Sequence, residues 1–180
     1  MVLVIRTLRS DDTDVLAEAF ADWPKPRELF ETYAGRAATG DLDVLVAVAD
    51  GRMAGFLIIE PHSSYPPFRD GNIPEIADFN VLPHERGHGV GTALMDEAER
   101  RIAEGSSVVG LGVGLYADYG PAQRMYVRRG YLPDGAGVVL DGVSVPPGTL
   151  IRLDDDPVLM FTKVLRDRAG RPNSQAMTPR

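Results

Sequence analysis

Cysteine is absent from this sequence of 180 residues. The chain therefore forms no disulfide and offers no thiolate to a metal ion, and this composition favours an intracellular, cytoplasmic setting. Long apolar runs are absent as well. The apolar stretch in MVLVIRTL, at the N-terminus, is far too short for a signal peptide or a membrane span. We expect no role at a membrane.

An excess of positive charge is also lacking. The 26 aspartate and glutamate residues outnumber the 19 lysine and arginine residues, and the formal net charge is −7. This balance disfavours nucleic acid as the main partner. With 44% hydrophobic and 25% charged residues, the composition is that of a globular protein. The length suits one domain, which we expect over residues 1–165, followed by a polar, flexible tail at 166–180.

Strand-like and helix-like segments alternate along the sequence. Apolar or alternating segments predict strands at 2–8, 43–50, 53–60, 74–83, 107–115, 137–141 and 158–165. Apolar residues at helical spacing predict helices at 14–23, 27–38, 90–105 and 119–130. The alternation predicts an α/β domain, and the hairpin expected at 43–60 predicts a mixed rather than an all-parallel sheet.

Two of these helices carry further signals. The first is preceded by Ser10, Asp11 and Asp12, which offer N-cap chemistry. The helix at 90–105 has one apolar face, formed by Val90, Leu94, Ala98 and Ile102. It also has acid-before-base pairs one turn apart, Asp96 with Arg100 and Glu97 with Arg101.

The octapeptide HERGHGVG (84–91) can be interpreted in two incompatible ways. It contains H-E-x-x-H, the pattern of helical zinc proteases, and it is also a glycine-rich turn suited to an anion. A zinc protease needs both histidines on one continuous helix, whereas a strand-patterned segment ending at Pro83 precedes them. The three glycines would each cost roughly 1 kcal/mol in a helix. We therefore interpret His84 and His88 as turn residues and expect no metal.

A strand, a glycine-rich turn and a helix follow one another here, as a phosphate-binding turn requires. Unpaired N–H groups and the positive end of the helix dipole attract anions, and Arg86 adds a charged contact. Neither common nucleotide motif fits, because no lysine follows Gly91 and because the glycine spacing is G-x-G-x-G, far from the N-terminus, rather than G-x-G-x-x-G. An isolated glycine triplet would more simply close a strand–helix junction, so the neighbouring residues have to decide.

Two motifs stand on either side of a predicted helix and strand. A segment ending in V-x-P and followed by [QR]-x-x-G-x-[GA] occurs as Val81-Leu82-Pro83 and then 86–92. A second element, A-x-x-x-Y-x-x-x-G-[FY], occurs from Ala122 to Tyr131. With both motifs in this order, the sequence resembles the GNAT-type N-acetyltransferase family. The resemblance covers most of residues 1–165.

The resemblance implies a mixed central sheet of about six or seven strands, splayed between strands 4 and 5, with flanking helices. It implies acetyl-CoA as cosubstrate, with the pantetheine arm on Asn80, Val81 and Leu82. The residues implied for the pyrophosphate are Arg86, Gly87, His88, Gly89, Val90, Gly91 and Thr92. Gln123 and Tyr126 of the second motif are implied to contact the coenzyme too. The implied reaction is transfer of the acetyl group to a primary amine, by direct attack in a ternary complex.

Tyr126 is the predicted catalytic acid. Expulsion of CoA leaves negative charge on sulfur, and a phenol with an ordinary pKa of about 10 can donate to it while staying protonated at neutral pH. A tyrosine at this spacing could instead only pack the helix onto the sheet. The family often has an asparagine three residues before the alanine of the second motif, where this chain has Tyr119. The contact made by that asparagine is therefore replaced or lost.

An attacking amine must lose a proton, and the predicted acceptors are Glu75 and Asp78, with Glu60 as a further candidate. Strand alternation places Glu75 on the same face as Val81 and Asp78 on the other, unless a bulge intervenes. Each carboxylate could instead be structural. Proximity of the two reactants alone supplies much of the acceleration, so the reaction does not require a dedicated base.

Several interpretations stay open. In the Pro- and Ser-rich loop predicted at 61–72, the side chains of Tyr65, Phe68 and Asp70 line an acceptor pocket or fold on one another. The acidic run 154–156 is interpreted as a solvated turn rather than an amine-binding patch. The acceptor is a small-molecule or peptide amine, and homodimers are common in the family. The rival functions are a catalytically silent acyl-CoA-binding or regulatory module and a zinc hydrolase.

Overall fold

The computed structural model describes residues 1–23 and 25–165, and the tail predicted at 166–180 lies outside them. The chain divides into two compact units. The first unit consists of Met1–Pro61 and Ile76–Arg101, and the second consists of His62–Glu75 and the residues from Ile102 onward. The expectation of one domain over residues 1–165 stays a prediction.

Strands and helices alternate in the described residues. In sequence order they are β1 (Leu3–Thr7), α1 (Asp12–Ala19), α2 (Arg27–Thr39), β2 (Asp43–Ala49), β3 (Arg52–Glu60), α3 (Pro66–Asp70), β4 (Glu75–Val81), α4 (Val90–Ile102), β5 (Val108–Gly114), α5 (Gly120–Arg128), β6 (Leu132–Leu140), β7 (Val143–Ser144) and β8 (Val158–Val164). The α/β class is thus confirmed. The strand number exceeds the expected six or seven because β7, of two residues, was too short to predict. No helix among these is both long and apolar enough to cross a membrane.

The strands of the first unit lie in the order β1-β2-β3-β4. Antiparallel pairs join β1 to β2 and β2 to β3, and the register places Asp43 opposite Ile59. The hairpin predicted at 43–60 is therefore confirmed. Its turn lies at Asp50 and Gly51, whose φ angles of 47° and 81° suit a tight antiparallel connection, and β3 begins one residue earlier than predicted.

Aromatic rings form the core of the first unit. The Phe56 ring centroid on β3 lies 5.1 Å from that of Phe20 and 5.5 Å from that of Phe30, both in edge-on geometry. These three side chains are fully buried and fix β3 against α1 and α2. The apolar face predicted for α4 is confirmed, because all four of its residues are buried: Val90, Leu94, Ala98 and Ile102.

Helix α1 begins where the cap signals predicted, but by a different contact. Asp11 occupies the N-cap position without a side-chain cap hydrogen bond. The Asp12 carboxylate instead accepts the Arg9 N–H at 2.7 Å and binds the Arg6 guanidinium of β1 at 2.5 Å. The ion pair with Arg6 joins the start of α1 to β1. Asp12, rather than the N-cap residue Asp11, therefore makes the side-chain contacts at the start of this helix.

In the second unit the strands lie in the order β5-β8-β6-β7, and each neighbouring pair is antiparallel. Val108 at the start of β5 lies opposite Val164 at the end of β8. The segment predicted as a plain loop at 61–72 contains helix α3, so that prediction is wrong in part. Tyr65 and Phe68 are 4% and 1% exposed and pack with Val139 and Met160. The two aromatics therefore belong to a core and are too buried to line an open acceptor pocket.

Glycines alternate along β5 because aromatic rings occupy one of its faces. A Cβ atom added to Gly110 would lie 2.1 Å from the Phe68 ring, and one added to Gly114 would lie 2.4 Å from the Tyr119 ring. Any side chain at either position would displace a ring. Gly110 and Gly114 of VGLGVG are thus required by packing in the second unit.

Gly110→Ala should therefore lower the melting temperature by about 6 °C, because overpacking against a buried ring costs about 2 kcal/mol in a protein of this size. Gly112→Ala is the matched control. Its Cβ would meet the flexible Met160 side chain at 3.2 Å, so a loss of less than about 2 °C is expected. Equal losses by differential scanning calorimetry would contradict the role given to Phe68.

On α4, Glu97 lies beside Arg100 and Arg101, whose guanidinium groups hold the pKa of the carboxyl at about 2, below its ordinary value of 4.5. A depressed folded pKa means that this stabilisation is present above pH 4.5 and is lost as the pH falls towards 2. We expect Glu97→Gln to lower the melting temperature by about 3 °C at neutral pH, and the difference should vanish in acid. Melting temperatures are measured across this pH range for Glu97→Gln and for the exposed control Glu18→Gln. The same dependence of melting temperature on pH in both variants would contradict the role given to Glu97.

Candidate active site

The turn between β4 and α4 is not helical. A 3-10 turn at Pro83–Glu85 is followed by Arg86 in an extended conformation, and Gly87 and Gly89 have φ angles of +80° and +86°. His84 and His88 therefore lie outside any continuous helix, which removes the geometry that the zinc-protease interpretation needs. Both are exposed turn residues, as predicted.

The main-chain donors of this turn are unpaired. Within the described residues, no N–H group from Gly87 to Thr92 donates to a main-chain carbonyl, and the next one along, that of Ala93, donates to the Gly89 carbonyl at 3.0 Å. Gly87, His88, Gly89 and Thr92 are also exposed. A run of unpaired N–H donors in a largely exposed turn, at the start of a helix of 13 residues, is an anion-binding arrangement.

The three glycines of the turn serve two purposes. Gly87 and Gly89 have open space around them, but their positive φ angles disfavour any residue with a Cβ atom. Gly91 has no such conformation. It lets the first turn of α4 approach β4, because an added Cβ would lie 3.2 Å from Phe79 and 3.6 Å from Val81. The turn thus needs glycine both for its path and for its packing.

Arg86 is held beside the end of β4. Its Nε–H donates to the Val81 carbonyl at 3.1 Å, and its guanidinium carbon lies 5.8 Å from the centroid of the Trp23 ring. A guanidinium group has five N–H donors, so four others are left for an anion at the exposed turn.

At the end of β4, the main-chain N–H and C=O groups of successive residues face opposite edges of the strand. The Leu82 N–H donates to the Ala54 carbonyl of β3 at 2.9 Å, and the Asn80 carbonyl lies against Gly55 of the same strand. Because N–H and C=O groups of successive strand residues point to opposite edges, Val81 presents its groups on the edge away from β3. Of the three residues predicted for the pantetheine arm, Val81 is therefore the one whose main-chain N–H and C=O groups face away from β3.

Asp78 has three partners and an unusual conformation. Its φ of +42° lies in the left-handed region, so the strand alternation used to predict which way Glu75 and Asp78 face is interrupted within β4. Its carboxylate binds the Lys25 ammonium, accepts the Tyr33 hydroxyl at 2.8 Å and accepts the Asn80 amide at 2.8 Å. Burial, together with this carboxylate, raises the pKa of Tyr33 well above its ordinary range. Asp78 is therefore the centre of a polar network in the first unit.

The other two candidate bases also have partners. In the second unit, Glu75 accepts a hydrogen bond from the buried Ser63 hydroxyl, and the Ser63 oxygen accepts the Tyr65 N–H at 3.0 Å. In the first unit, Glu60 pairs with Arg36 at 3.1 Å. These contacts give each carboxylate a structural role beside the catalytic one predicted for it.

Tyr126 is a buried phenol whose hydroxyl has no hydrogen-bond partner within the described residues. The residue is 5% exposed on α5, and its ring centroid lies 5.8 Å from that of Tyr131. Burial raises its pKa well above the ordinary value, so the hydroxyl keeps its proton throughout the physiological range. The Tyr126 ring is packed in the protein interior, as in the interpretation that gives it a structural role. Its protonated hydroxyl can also act as a hydrogen-bond donor.

Gln123 and Tyr119 lie at the end of β5 in the second unit. The Gln123 side-chain amide donates to the Gly114 carbonyl at 2.8 Å. The hydroxyls of Tyr116 and Tyr119 both donate to Asp155, Tyr119 at 2.8 Å. Tyr119 therefore fastens the acidic run 154–156 to this end of the strand. The sequence interpretation of that run as a merely solvated turn missed this contact, for which neither tyrosine gave a local signal.

Sequence comparison agrees with the two motifs. The model of the acetyltransferase (GNAT) family matches residues 7–131, more than half of the chain. The chain belongs to the GNAT acetyltransferase family. None of the curated proteins matches the sequence significantly.

Solved structures show which fold this GNAT protein has. It resembles an N-acetyltransferase from Staphylococcus aureus Mu50 with a TM-score of 0.69 and 12% identity, over 92% of this chain and 100% of the other. It resembles the ribosomal-protein-S18-alanine N-acetyltransferase of Escherichia coli with a TM-score of 0.66 and 13% identity, over 99% and 100%. A third, the PaiA N-acetyltransferase of Thermoplasma acidophilum in complex with coenzyme A, gives 0.64 and 16%, over 91% and 99%. The GNAT fold class predicted from the sequence is confirmed.

Membership of the family also supports acyltransferase activity and acetyl-CoA as the donor of the acyl group. The residues of the turn fit this cosubstrate, since exposed N–H donors beside an arginine are what a diphosphate binds. The assignment of individual residues to the coenzyme stays a prediction.

Gly89→Ala should weaken binding of coenzyme A about fivefold to tenfold in isothermal titration, because a Cβ atom at φ +86° strains the turn by about 1 kcal/mol and moves its donors. Gly51→Ala is a matched control. It has the same kind of conformation, φ +81°, and open space around it, but lies in the β2–β3 turn. Both variants should lose similar stability, and a similar loss of affinity in both would remove the turn from the binding site.

Proposed function

We propose that this GNAT protein is an N-acetyltransferase that transfers the acetyl group of acetyl-CoA to a primary amine by direct attack in a ternary complex. The observation that carries the proposal is the largely exposed turn at 87–92, where N–H groups that donate to no main-chain carbonyl meet the positive end of the α4 dipole. Arg86 to Thr92 would hold the pyrophosphate. The main chain of Val81, whose carbonyl now accepts the Arg86 Nε–H, would pair with the pantetheine arm.

Acetyl-CoA supplies a thioester carbonyl that is activated towards nucleophiles. In the reaction a bond forms between the amine nitrogen and the carbonyl carbon, the C–S bond breaks, and the sulfur takes up a proton. Tyr126 suits the role of proton donor to sulfur, because its phenol is protonated and bonded to no other group of the described residues. Gln123 would line the coenzyme one turn before it on α5.

The amine must release a proton before or during attack. Asp78 and Glu75 are the proposed acceptors, directly or through water, and each would have to exchange a present partner, Lys25 or Ser63, for that proton. Because holding two reactants together supplies several kcal/mol of the acceleration, loss of either carboxylate need not abolish turnover.

The acceptor is proposed to be a small-molecule or peptide amine. A cytoplasmic location, a homodimeric state and independence from nucleic acid, membranes and metal ions remain predictions from composition and family. A catalytically silent acyl-CoA-binding module is the alternative. It would bind acetyl-CoA but release no CoA with any amine, so steady thiol release across an amine panel separates the two functions.

Replacement of Tyr126 by phenylalanine should lower kcat about 100-fold, with the KM for acetyl-CoA changed less than about twofold, because the ring still packs while the proton donor is lost. Tyr116→Phe is the matched control, since it removes a phenol bonded to Asp155 and should leave kcat unchanged.

The same assay gives a pH test of Tyr126. Its raised pKa keeps the phenol protonated, so wild-type kcat should not fall at alkaline pH through ionisation of this group. Equal kcat values in Tyr126→Phe and wild type would refute the catalytic role of Tyr126.

A further inference from the structure

The Lys25 ammonium occupies a site in the first unit that has the walls of an amine-binding pocket. Its Nζ contacts the Asp78 carboxylate and lies 5.5 Å from the centroid of the Phe56 ring. The two charged side chains are only 15% and 20% exposed. A carboxylate and an aromatic face around one ammonium group are the usual means of recognising that group.

The walls of this site come from regular elements that stay in place without Lys25. Asp78 belongs to β4, and its carboxylate is oriented by the Tyr33 hydroxyl of α2 and by the Asn80 amide. Phe56 belongs to β3 and is fully buried against the other rings of the core. Lys25, in contrast, comes from the segment that connects α1 to α2. A connecting segment can move with less loss of packing than the walls can.

The choice of a lysine at this place is unusual for this protein. Of its 19 basic residues, 17 are arginine and two are lysine, Lys25 and Lys163. Other carboxylates of the first unit bind arginine, as in the pairs Arg36–Glu60 and Arg101–Asp43. Asp78 instead binds a compact ammonium group on a flexible alkyl stem. The site therefore accommodates the chemical group that the proposed reaction consumes.

We propose that Asp78, Tyr33 and Phe56 form a binding site for a primary alkylammonium group, that Lys25 fills this site from within the protein, and that the amine acceptor takes its place. The ligand class is an unbranched alkyl chain ending in a primary ammonium, which a linear diamine and a lysine side chain share. The naming of this ligand as the acceptor rests on the proposed function, whereas the binding site itself does not.

The first experiment removes the Lys25 side chain and supplies a replacement ammonium group from solution. Lys25→Ala should lower the melting temperature by about 5 °C, because the carboxylate of Asp78 is left without its cation. n-Butylammonium chloride, whose alkyl chain matches the lysine side chain, should restore more than half of this loss at about 20 mM, since a ligand of the folded state stabilises by mass action. n-Butanol, which has the same alkyl chain without the charge, should not.

Two variants control this rescue. Lys163→Ala removes the only other lysine, whose ammonium lies 5.5 Å from the Tyr131 ring centroid in the second unit, and it should show no rescue. Lys25→Ala combined with Asp78→Asn should lose the rescue as well. Equal rescue in Lys163→Ala, or rescue by butanol, would overturn the site.

Wild-type protein provides a second measurement that does not depend on the folding of Lys25→Ala. Selective ¹³C labelling of lysine gives two ε-carbon signals, which Lys163→Arg assigns. Titration with n-butylammonium should move the Lys25 signal at millimolar concentrations, since an internal side chain competes at an effective concentration of that order, roughly millimolar. The Lys163 signal should not move. A Lys25 signal that stays fixed up to saturating amine would overturn the exchange.

Turnover assays test the ammonium-binding site and the acetyltransferase function separately. Acetyl-CoA-dependent CoA release is measured with 1,5-diaminopentane, with a lysine-containing peptide and with branched tert-butylamine, and one of the two linear amines should be the best acceptor. Lys25→Ala should lower the KM for that acceptor about tenfold by removing the internal competitor. An unchanged KM would overturn the assignment of this site to the acceptor, while the acetyltransferase function stands. Rescue of stability without turnover of any amine would overturn the function while the site stands.

Discussion

The arrangement of the candidate active site depends on one constraint: the main-chain N–H groups at the start of α4 are left without main-chain acceptors. A helix cannot satisfy its first N–H groups internally, and most helices use a side-chain cap for the purpose. Here two glycines in the left-handed region carry the main chain from the 3-10 turn into the helix, and the donors remain exposed. The protein thus keeps unsatisfied hydrogen-bonding capacity that an anion can use.

The sequence could predict this constraint because it is local. A strand pattern, a proline, alternating glycines and an amphipathic helix stand within about 30 residues, and each segment has a strong preference of its own. For the same reason the hairpin at 43–60 and the buried face of α4 were predicted correctly. The glycines of β5 were visible as well, but their cause was not, because Phe68 and Tyr119 reach them from other elements.

Contacts between distant positions could not be predicted. Lys25 and Asp78 are 53 positions apart, and neither carries a local pattern that points to the other. The left-handed conformation of Asp78 also breaks strand alternation at one residue, which a period of two cannot anticipate. The partners of Asp155 are hidden in the same way. The candidate site was therefore predictable where the main chain builds it and unpredictable where side chains from other elements complete it.

Two residues of the segment between α1 and α2 contact residues that are more than 50 positions away in the sequence. Trp23 lies under the Arg86 guanidinium, and Lys25, two residues later, lies on Asp78. If a ligand that draws Arg86 away from Trp23 also changes the affinity of an ammonium group for Asp78, thermodynamic linkage requires the reverse effect to have the same factor. Trp23 and Lys25 thus bring an anion-binding region and a cation-binding region of the first unit to within two positions of one another in the sequence.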